Sequence, residues 1–135
     1  MKPDNLFIME SGVIKLGDFG LAAQLEYLCS RKNTTYGTSM YTAPEVFMNG
    51  VVLKSDVWSL GISVIEMAEG KNPYDGLTST KIMEALLNKS PPSFFSSGWS
   101  NDLVDFVKRC LVKDVNERAS VEALLKVSVV VMGED

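Results

Sequence analysis

One helical segment of this chain carries apolar side chains around most of its circumference. It runs from Asp56 to Glu69, with Ser55 as the predicted N-cap and Gly70 as the residue that ends it. Its non-apolar positions form only a narrow stripe: Ser59, Ser63 and Glu66. A helix that is apolar on nearly every side has to be enclosed by other elements. The sequence therefore predicts a domain built around this helix as its buried centre.

Shorter elements precede the central helix. Apolar runs at 6–9 and 13–16, separated by Ser11-Gly12, predict a β-hairpin. Residues 17–43 predict one long loop, and a loop of that length in a compact domain usually has a function. Pro44 begins a short helical turn, since proline suits a first helical position.

Three further helices are predicted after the central one. The first covers 80–88, the second runs from its cap Ser100 to Leu111, and the last follows its cap Ser120. The side chains expected to point inward are Ile82, Met83, Leu86 and Leu87, then Leu103, Val104, Val107, Cys110 and Leu111, and finally Val121, Leu124 and Leu125. The fold class is therefore α+β, mainly α.

Composition excludes several classes of function. The 135 residues contain no histidine, which removes any Ser-His-Asp triad and the commonest general base and metal ligand. A net charge of −4 gives no electrostatic reason to expect nucleic acid or an anionic membrane as a partner. The two cysteines, Cys29 and Cys110, have no metal or redox spacing and are expected to be reduced, which favours an intracellular, cytoplasmic location.

Two oxygen-bearing side chains flank the predicted hairpin. Asn5 ends the turn before the first strand, and Asp18 follows the second strand between Gly17 and Gly20. Because both lie at the open end of the hairpin, they converge on one place, and Mg²⁺ prefers such oxygen ligands together with phosphate and water. Lys2 lies on the same turn and is suited to neutralise a phosphate. The alternative is a hydrogen-bonded turn without a ligand.

Five motifs occur in order along the chain. They are Lys2-Pro3-Asp4-Asn5, Asp18-Phe19-Gly20, Ala43-Pro44-Glu45, Ser55-Asp56-Val57-Trp58-Ser59-Leu60-Gly61, and Arg118. Together they resemble the C-terminal lobe of a eukaryotic protein kinase, over residues 1–126. The Lys-Pro-x-Asn form is similar to that of Ser/Thr kinases. The amino-acid sequences of residues 37–45 and 54–63 resemble those of the sterile group of kinases, which includes the GTPase-activated kinases and the MAP kinase cascade.

The resemblance implies roles for the residues around the hairpin. Asp18 would hold the Mg²⁺ that bridges the ATP phosphates, Asn5 would hold the second Mg²⁺, and Lys2 would contact the transferred phosphate. Leu6, Phe7 and Ile8 match the apolar floor under the adenine. Phe19 matches the aromatic residue whose packing distinguishes active from inactive states, and Gly20 completes that motif.

The resemblance also assigns the loop and the helical part. Residues 18–45 would be the activation segment, with Thr34 or Thr35 as its phosphorylation site or as ordinary polar loop residues. Thr38 matches the threonine that contacts the catalytic loop. Glu45 and Arg118 match a buried ion pair, and Asp56 matches the residue that anchors the catalytic-loop backbone.

Other parts of the kinase pattern do not occur in these residues. There is no His-Arg-Asp, so the catalytic-base aspartate is missing, and no Gly-rich loop or phosphate-binding strand lysine. Residues 127–135 depart from the family pattern. We therefore expect a truncated Ser/Thr kinase domain that is inactive as this chain alone, whose partners are a protein substrate or a partner kinase in a signalling cascade. The alternative is a non-catalytic binding module that docks a partner through residues 38–48 and the helix at 80–88.

Overall fold

A computed structural model of the chain describes residues 1–20 and 40–127. It confirms the α+β, mainly α fold class, with one two-stranded sheet and five α-helices in the described residues. After a single 3-10 turn at Pro3–Asn5, the elements are β1 Leu6–Ile8, β2 Ile14–Leu16, α1 Pro44–Asn49, α2 Ser55–Glu69, α3 Ser79–Asn88, α4 Asn101–Cys110 and α5 Val121–Leu124.

The predicted hairpin is confirmed. β1 and β2 pair antiparallel, with Phe7 opposite Lys15 at the centre of the register. Gly12 makes the connecting turn in the left-handed region, at a φ of 78°, which glycine adopts without a Cβ penalty.

The predicted central helix is α2, and its apolar side chains form the middle of the core. Val57, Trp58, Ile62 and Ile65 are all at most 2% exposed. The core continues through residues of the segments around α2, chiefly Ala43, Tyr74, Ile82, Leu86, Val107, Cys110, Leu111 and Leu124. The helix is therefore enclosed by its neighbours over most of its length, as its pattern predicts.

The polar stripe of α2 is buried as well. Ser59 donates a hydrogen bond to the backbone oxygen of Tyr41 (2.7 Å), and Ser63 donates to the backbone oxygen of Ser59 (2.8 Å). Since each hydroxyl has a partner, burying it is not costly. Met67, near the end of the helix, is the apolar exception, with 54% of its side chain exposed.

The prediction of Ser55 as the N-cap of α2 is wrong. Ser55 is the first residue of the helix, and Lys54 occupies the cap position without a side-chain hydrogen bond. The reason is that the Ser55 hydroxyl is engaged elsewhere: it donates to Glu45 Oε1 (2.8 Å) and accepts from the backbone N–H of Val52 (3.0 Å). The left-handed stop at Gly70 is confirmed.

Ser100 and Ser120 are confirmed as N-caps. The Ser100 hydroxyl accepts from the backbone N–H of Leu103, and the Ser120 hydroxyl accepts from that of Ala123. Each bond satisfies one of the N–H groups that have no partner within the helix.

The inward orientation predicted for four side chains is wrong. On α3, Ile82 and Leu86 are buried, whereas 38% of Met83 and 44% of Leu87 are exposed, because only a narrow stripe of this helix packs on the core. On α5 only Leu124 is buried, and Val121 and Leu125 are exposed, since a helix of one turn presents a single side to its neighbours.

The structure also shows the state of one cysteine and whether any helix could cross a membrane. Cys110 is free, and burial raises the pKa of its thiol to about 12. Cys29 lies outside the described residues. Among the helices of the described ranges, none combines the length and apolar character needed to cross a membrane.

Candidate functional site

The open end of the hairpin brings Asn5 close in space to the residues around Asp18. The backbone N–H of Gly17 donates to the backbone oxygen of Asn5 (2.9 Å), which continues the strand pairing one step beyond Leu6 and Leu16. The 3-10 turn holds Asn5 on the other side, through its N–H bond to the backbone oxygen of Lys2 (3.1 Å). Asp18 is therefore attached to the residue that pairs with Asn5.

Asp18 has an unusual backbone conformation. Its φ is 58°, and it is the sole non-glycine residue with a positive φ in the described ranges. Such residues are uncommon and concentrate at functional sites, although Asp tolerates this region better than most. The Asp18 carboxylate accepts a hydrogen bond from the N–H of Gly20 (3.3 Å) and is otherwise exposed. The carboxylate is thus presented at the surface by a bent backbone.

Gly17, next to Asp18, is covered closely by an aromatic ring. A Cβ built there would lie 2.5 Å from Cε2 of Phe7, whose ring covers this backbone. The ring itself is 55% exposed, so the contact is with an aromatic side chain at the surface.

The donor set at this end of the hairpin fits Mg²⁺ bound to a phosphate ligand. It consists of one amide side chain and one carboxylate, and the described residues contain no cluster of three or more His, Cys, Asp or Glu residues that could form a metal cage. Zinc and calcium sites normally use three or more protein ligands, whereas Mg²⁺ often binds through one or two carboxylates plus substrate phosphates.

The other predicted nucleotide contacts surround this end of the hairpin. The Lys2 ammonium lies 3.3 Å from Asp4 Oδ2, in a pair whose side chains are 45% and 78% exposed. An exposed pair of this kind contributes about 0–1 kcal/mol, so it does not hold the lysine away from a stronger anion. Phe7, Ile8 and Phe19 are exposed, Leu6 is half-buried and Gly20 is exposed. Exposed apolar side chains therefore lie close in sequence to Asn5 and Asp18.

Three predicted residues cannot be placed. Thr34, Thr35 and Thr38 lie outside the described residues. Their phosphorylation and their contact with a catalytic loop stay predictions.

Glu45 and Arg118 form a buried ion pair. Arg118, 1% exposed, donates to both oxygens of the Glu45 carboxylate, at 2.7 and 2.8 Å. It also donates to the backbone oxygens of Val112 (2.8 Å) and Lys54 (2.9 Å), and its guanidinium lies 5.2 Å from the Trp58 ring centroid. Two parallel bonds and further carbonyl partners satisfy a charge that would otherwise be costly to bury.

Ser55 is a member of this ion-pair cluster that the sequence reasoning missed, because it was assigned as a helix cap. Its hydroxyl donates to the same Glu45 oxygen that Arg118 contacts. Three parts of the chain thereby meet in one hydrogen-bonded group: α1, the start of α2 and the segment before α5.

Asp56 differs from this cluster. Its side chain is 74% exposed, and within the described residues its one ion-pair partner is the Met1 amino group at 4.0 Å. The anchoring role that the resemblance implies for Asp56 therefore has no backbone partner among residues 1–20 and 40–127.

A second group missed at the sequence level joins Tyr41 to the far end of α2. The Tyr41 hydroxyl donates to Glu66 Oε2 (2.7 Å), and the Asn72 amide donates to the same oxygen (2.6 Å). Burial and the Glu66 carboxylate raise the pKa of Tyr41 to about 12. The available signal was Glu66 itself, because a charged residue on an enclosed helix needs a partner.

Comparisons with known proteins agree with this architecture. The family model described as "Protein kinase domain" matches residues 1–130. The serine/threonine-protein kinase hippo of Drosophila melanogaster is 41% identical over 128 residues, which are 93% of this chain and 19% of that protein. The serine/threonine-protein kinase ppk11 of Schizosaccharomyces pombe is 40% identical over 127 residues, which are 93% of this chain and 41% of that protein.

The chain thus spans about a fifth of one relative and two fifths of the other. The similarity nevertheless extends over nearly all of its own length and includes the hairpin, the Glu45–Arg118 pair and α2. The chain belongs to the protein kinase domain family.

Proposed function

We propose that this chain is the part of a Ser/Thr protein kinase that binds the Mg²⁺ of ATP and carries the substrate-facing segment. The reaction is transfer of the γ-phosphoryl group of ATP to a serine or threonine of a protein. The observation that carries the proposal is the open end of the hairpin, where backbone pairing joins Asn5 to the residue before Asp18 and the Asp18 backbone is left-handed. An amide and a carboxylate at one end of a hairpin suit the Mg²⁺ ions that bind the phosphates of ATP.

Each residue at that end has a specific role in the proposal. Asp18 would hold the Mg²⁺ that bridges the ATP phosphates and Asn5 the second Mg²⁺, and these ions would neutralise phosphate charge. Lys2 contacts the transferred phosphate. The apolar surface of Leu6, Phe7 and Ile8 supports the adenine.

We also propose that the 135 residues alone do not catalyse transfer. They contain no histidine, and therefore no His-Arg-Asp sequence that would supply the catalytic base. They also contain no Gly-rich phosphate loop followed by a strand lysine. Positioning and charge stabilisation account for most of phosphoryl-transfer catalysis, so a chain without these groups lacks most of the rate enhancement.

The proposed partners are proteins. We propose a protein substrate or a partner kinase of a signalling cascade, acting inside the cell, with phosphorylation of Thr34 or Thr35 and a contact of Thr38 with the catalytic loop. The net charge of −4 supports neither nucleic acid nor anionic membrane as the ligand.

A chimaera tests the proposed reaction. The hippo kinase residues that precede the region similar to Met1 are fused to this chain, and Mg²⁺-ATP-dependent phosphorylation of a protein substrate is measured. The chimaera should transfer phosphate, the isolated chain should not, and Asp18→Asn in the chimaera should abolish transfer because one metal ligand is lost. Asp4→Asn is the matched control, since Asp4 lies on the neighbouring turn and its exposed carboxylate pairs with the Lys2 ammonium.

Two outcomes would contradict the proposal. The first is a folded chimaera that binds ATP but transfers no phosphate. The second is an Asp18→Asn chimaera that is as active as the Asp4→Asn control.

A non-catalytic docking module is the second candidate. It is favoured by exposed apolar side chains on two helices that contact each other, namely Met48 on α1 and Met83 and Leu87 on α3. In cells that depend on the parent protein, Met83→Ser with Leu87→Ser should then abolish function while Asp18→Asn preserves it. The opposite pattern supports the kinase.

A further inference from the structure

A single carboxylate fastens the 89–99 loop, which joins α3 to α4, to the end of α2. Glu69 Oε1 accepts from the backbone N–H groups of Phe95 and Ser96, both at 3.1 Å, and from the indole N–H of Trp99 at 3.0 Å. Glu69 Oε2 accepts from the Ser96 hydroxyl at 2.8 Å. Four donors from one loop thus converge on one anion.

These bonds favour the ionised form of Glu69. Desolvation alone would raise the pKa of Glu69, but the hydrogen bonds from Ser96, Trp99 and Phe95 outweigh it and lower the pKa. A charged acceptor makes each bond stronger than a neutral one. A negative charge at residue 69 therefore strengthens the attachment of the loop.

The fastened loop forms one wall of a cavity. The Trp99 and Phe94 rings lie 5.4 Å apart at an angle of 31°, and both line a cavity of about 280 Å³ whose opposite wall is α4, at Val104 and Val107. The Trp99 ring is held by Glu69 through its N–H, so loss of the carboxylate contact also loosens the cavity wall.

Ser96 is an exposed member of this arrangement, and it carries a hydroxyl. Its hydroxyl donates to Glu69, accepts from the Trp99 indole (3.1 Å), and belongs to a segment of the chain without regular secondary structure. We propose that Ser96 is a phosphorylation site, modified by a protein Ser/Thr kinase with ATP, and that the phosphate releases the 89–99 loop from α2. In that reaction Ser96 Oγ bonds to the γ-phosphorus, the bond from that phosphorus to the bridging oxygen of ADP breaks, and the hydroxyl proton passes to the modifying kinase's base.

The release follows from charge. Phosphate adds a charge of about −1.5 to −2 to an oxygen that now lies within hydrogen-bond distance of a carboxylate. Modification removes the hydroxyl proton that Glu69 accepts, and the new anion competes for the N–H donors of Ser96 and Trp99. Lys108 lines the same cavity as Ser96, but within the described ranges no lysine or arginine is hydrogen-bonded or ion-paired to Ser96 or Glu69.

Site-specific incorporation of phosphoserine tests the release. Chains with phosphoserine at 96 or at 97 are digested with chymotrypsin under native conditions, and cleavage after Phe94, Phe95 and Trp99 is timed. Phosphoserine at 96 should accelerate cleavage at least about tenfold, a factor that corresponds to about 1.4 kcal/mol of lost loop attachment. Ser97 is the matched control, because it is exposed and donates no bond to Glu69.

A second variant separates repulsion from simple bulk. In a Glu69→Gln chain the neutral amide cannot repel the phosphate, so phosphoserine at 96 should change the cleavage rate less than about twofold. An unchanged tenfold effect in Glu69→Gln, or equal acceleration by phosphoserine at 97, overturns the mechanism.

The modification itself is tested with enzymes. The chain is incubated with Mg²⁺-ATP and a panel of purified protein Ser/Thr kinases, and the phosphorylated positions are mapped by mass spectrometry. Phosphate at Ser96 supports the site. A panel that leaves Ser96 unmodified overturns it.

Discussion

The hairpin and the helical part of this chain are both rich in apolar residues but bury them very differently. In the helical part, Trp58, Ile62 and Ile65 are fully buried. In the hairpin no residue is buried: 55% of Phe7, 76% of Ile8 and 63% of Ile14 are exposed. The backbone of the hairpin is paired along both strands. Its side chains, in contrast, form no buried core.

The residues that stabilise the fold and the residues of the proposed Mg²⁺ site therefore lie in different parts of the molecule. A two-stranded hairpin alone is marginally stable in water, so its conformation depends on the rest of the fold. The proposed Mg²⁺ ligands, Asn5 and Asp18, lie on this weakly supported part. The buried ion pair and the core lie on the helical part, which supplies the free energy of folding. Variants that make the same chemical change in both parts test this separation.

Removal of one ion-pair partner should show the largest contrast. Glu45→Ala leaves the Arg118 guanidinium buried without its carboxylate, and we expect the free energy of unfolding to fall by about 3–5 kcal/mol. Asp4→Ala removes the carboxylate partner of Lys2 in the exposed pair near the hairpin, and we expect a loss of less than about 1 kcal/mol. Urea denaturation followed by circular dichroism gives both values.

Two results would contradict this contrast. A Glu45→Ala chain as stable as the parent would show that the pair is not buried as described. An Asp4→Ala loss as large as that of Glu45→Ala would show that the start of the chain contributes to the cooperative fold.

Truncation of isoleucine should give the next largest contrast. Ile62 is 0% exposed at the centre of α2, so Ile62→Ala removes contacts on every side and should cost about 2–5 kcal/mol. Ile14 on β2 is 63% exposed, so Ile14→Ala should cost less than about 1 kcal/mol. The same denaturation measurement applies, and equal losses at the two positions would mean that the hairpin packs against something in solution.

Local signals in the sequence were sufficient for the elements of the fold. The two apolar runs on either side of Ser11-Gly12 predict the hairpin, and the hairpin in turn predicts that Asn5 and Asp18 lie at its open end. Gly70 predicted the end of α2 because it adopts φ 69°. Each of these signals involves only a few neighbouring residues, so the local sequence is enough to predict the element.

Contacts between distant residues were not predictable in the same way. Ser55 has the sequence position of a helix cap. In the fold, however, its hydroxyl donates to the buried Glu45 carboxylate instead of capping α2. Ser96 contacts Glu69 across 27 residues, and no spacing rule connects the two. The exposure of Met83 and Leu87 likewise depends on how little of α3 reaches the core.

Two glycines provide the smallest and most specific contrast. A Cβ at Gly61 would lie 2.7 Å from the Cβ of Cys110 and 2.8 Å from Leu111, where α2 and α4 are in contact. A Cβ at Gly17 would lie even closer, 2.5 Å, to the Phe7 ring. From these contact distances alone, an alanine at position 17 should reduce stability more than an alanine at position 61.

Burial predicts the opposite order, and we expect burial to decide. Gly61→Ala presses on side chains that cannot move, and its overpacking cost exceeds the ~1 kcal/mol gained in helix propensity, which leaves a net loss of about 1–2 kcal/mol. Gly17→Ala should cost less than about 0.5 kcal/mol, because the exposed Phe7 ring can rotate into solvent. Urea denaturation of the two alanine variants measures both losses, and a larger loss for Gly17→Ala would mean that the Phe7 ring is fixed and that the hairpin is packed as tightly as the helical core.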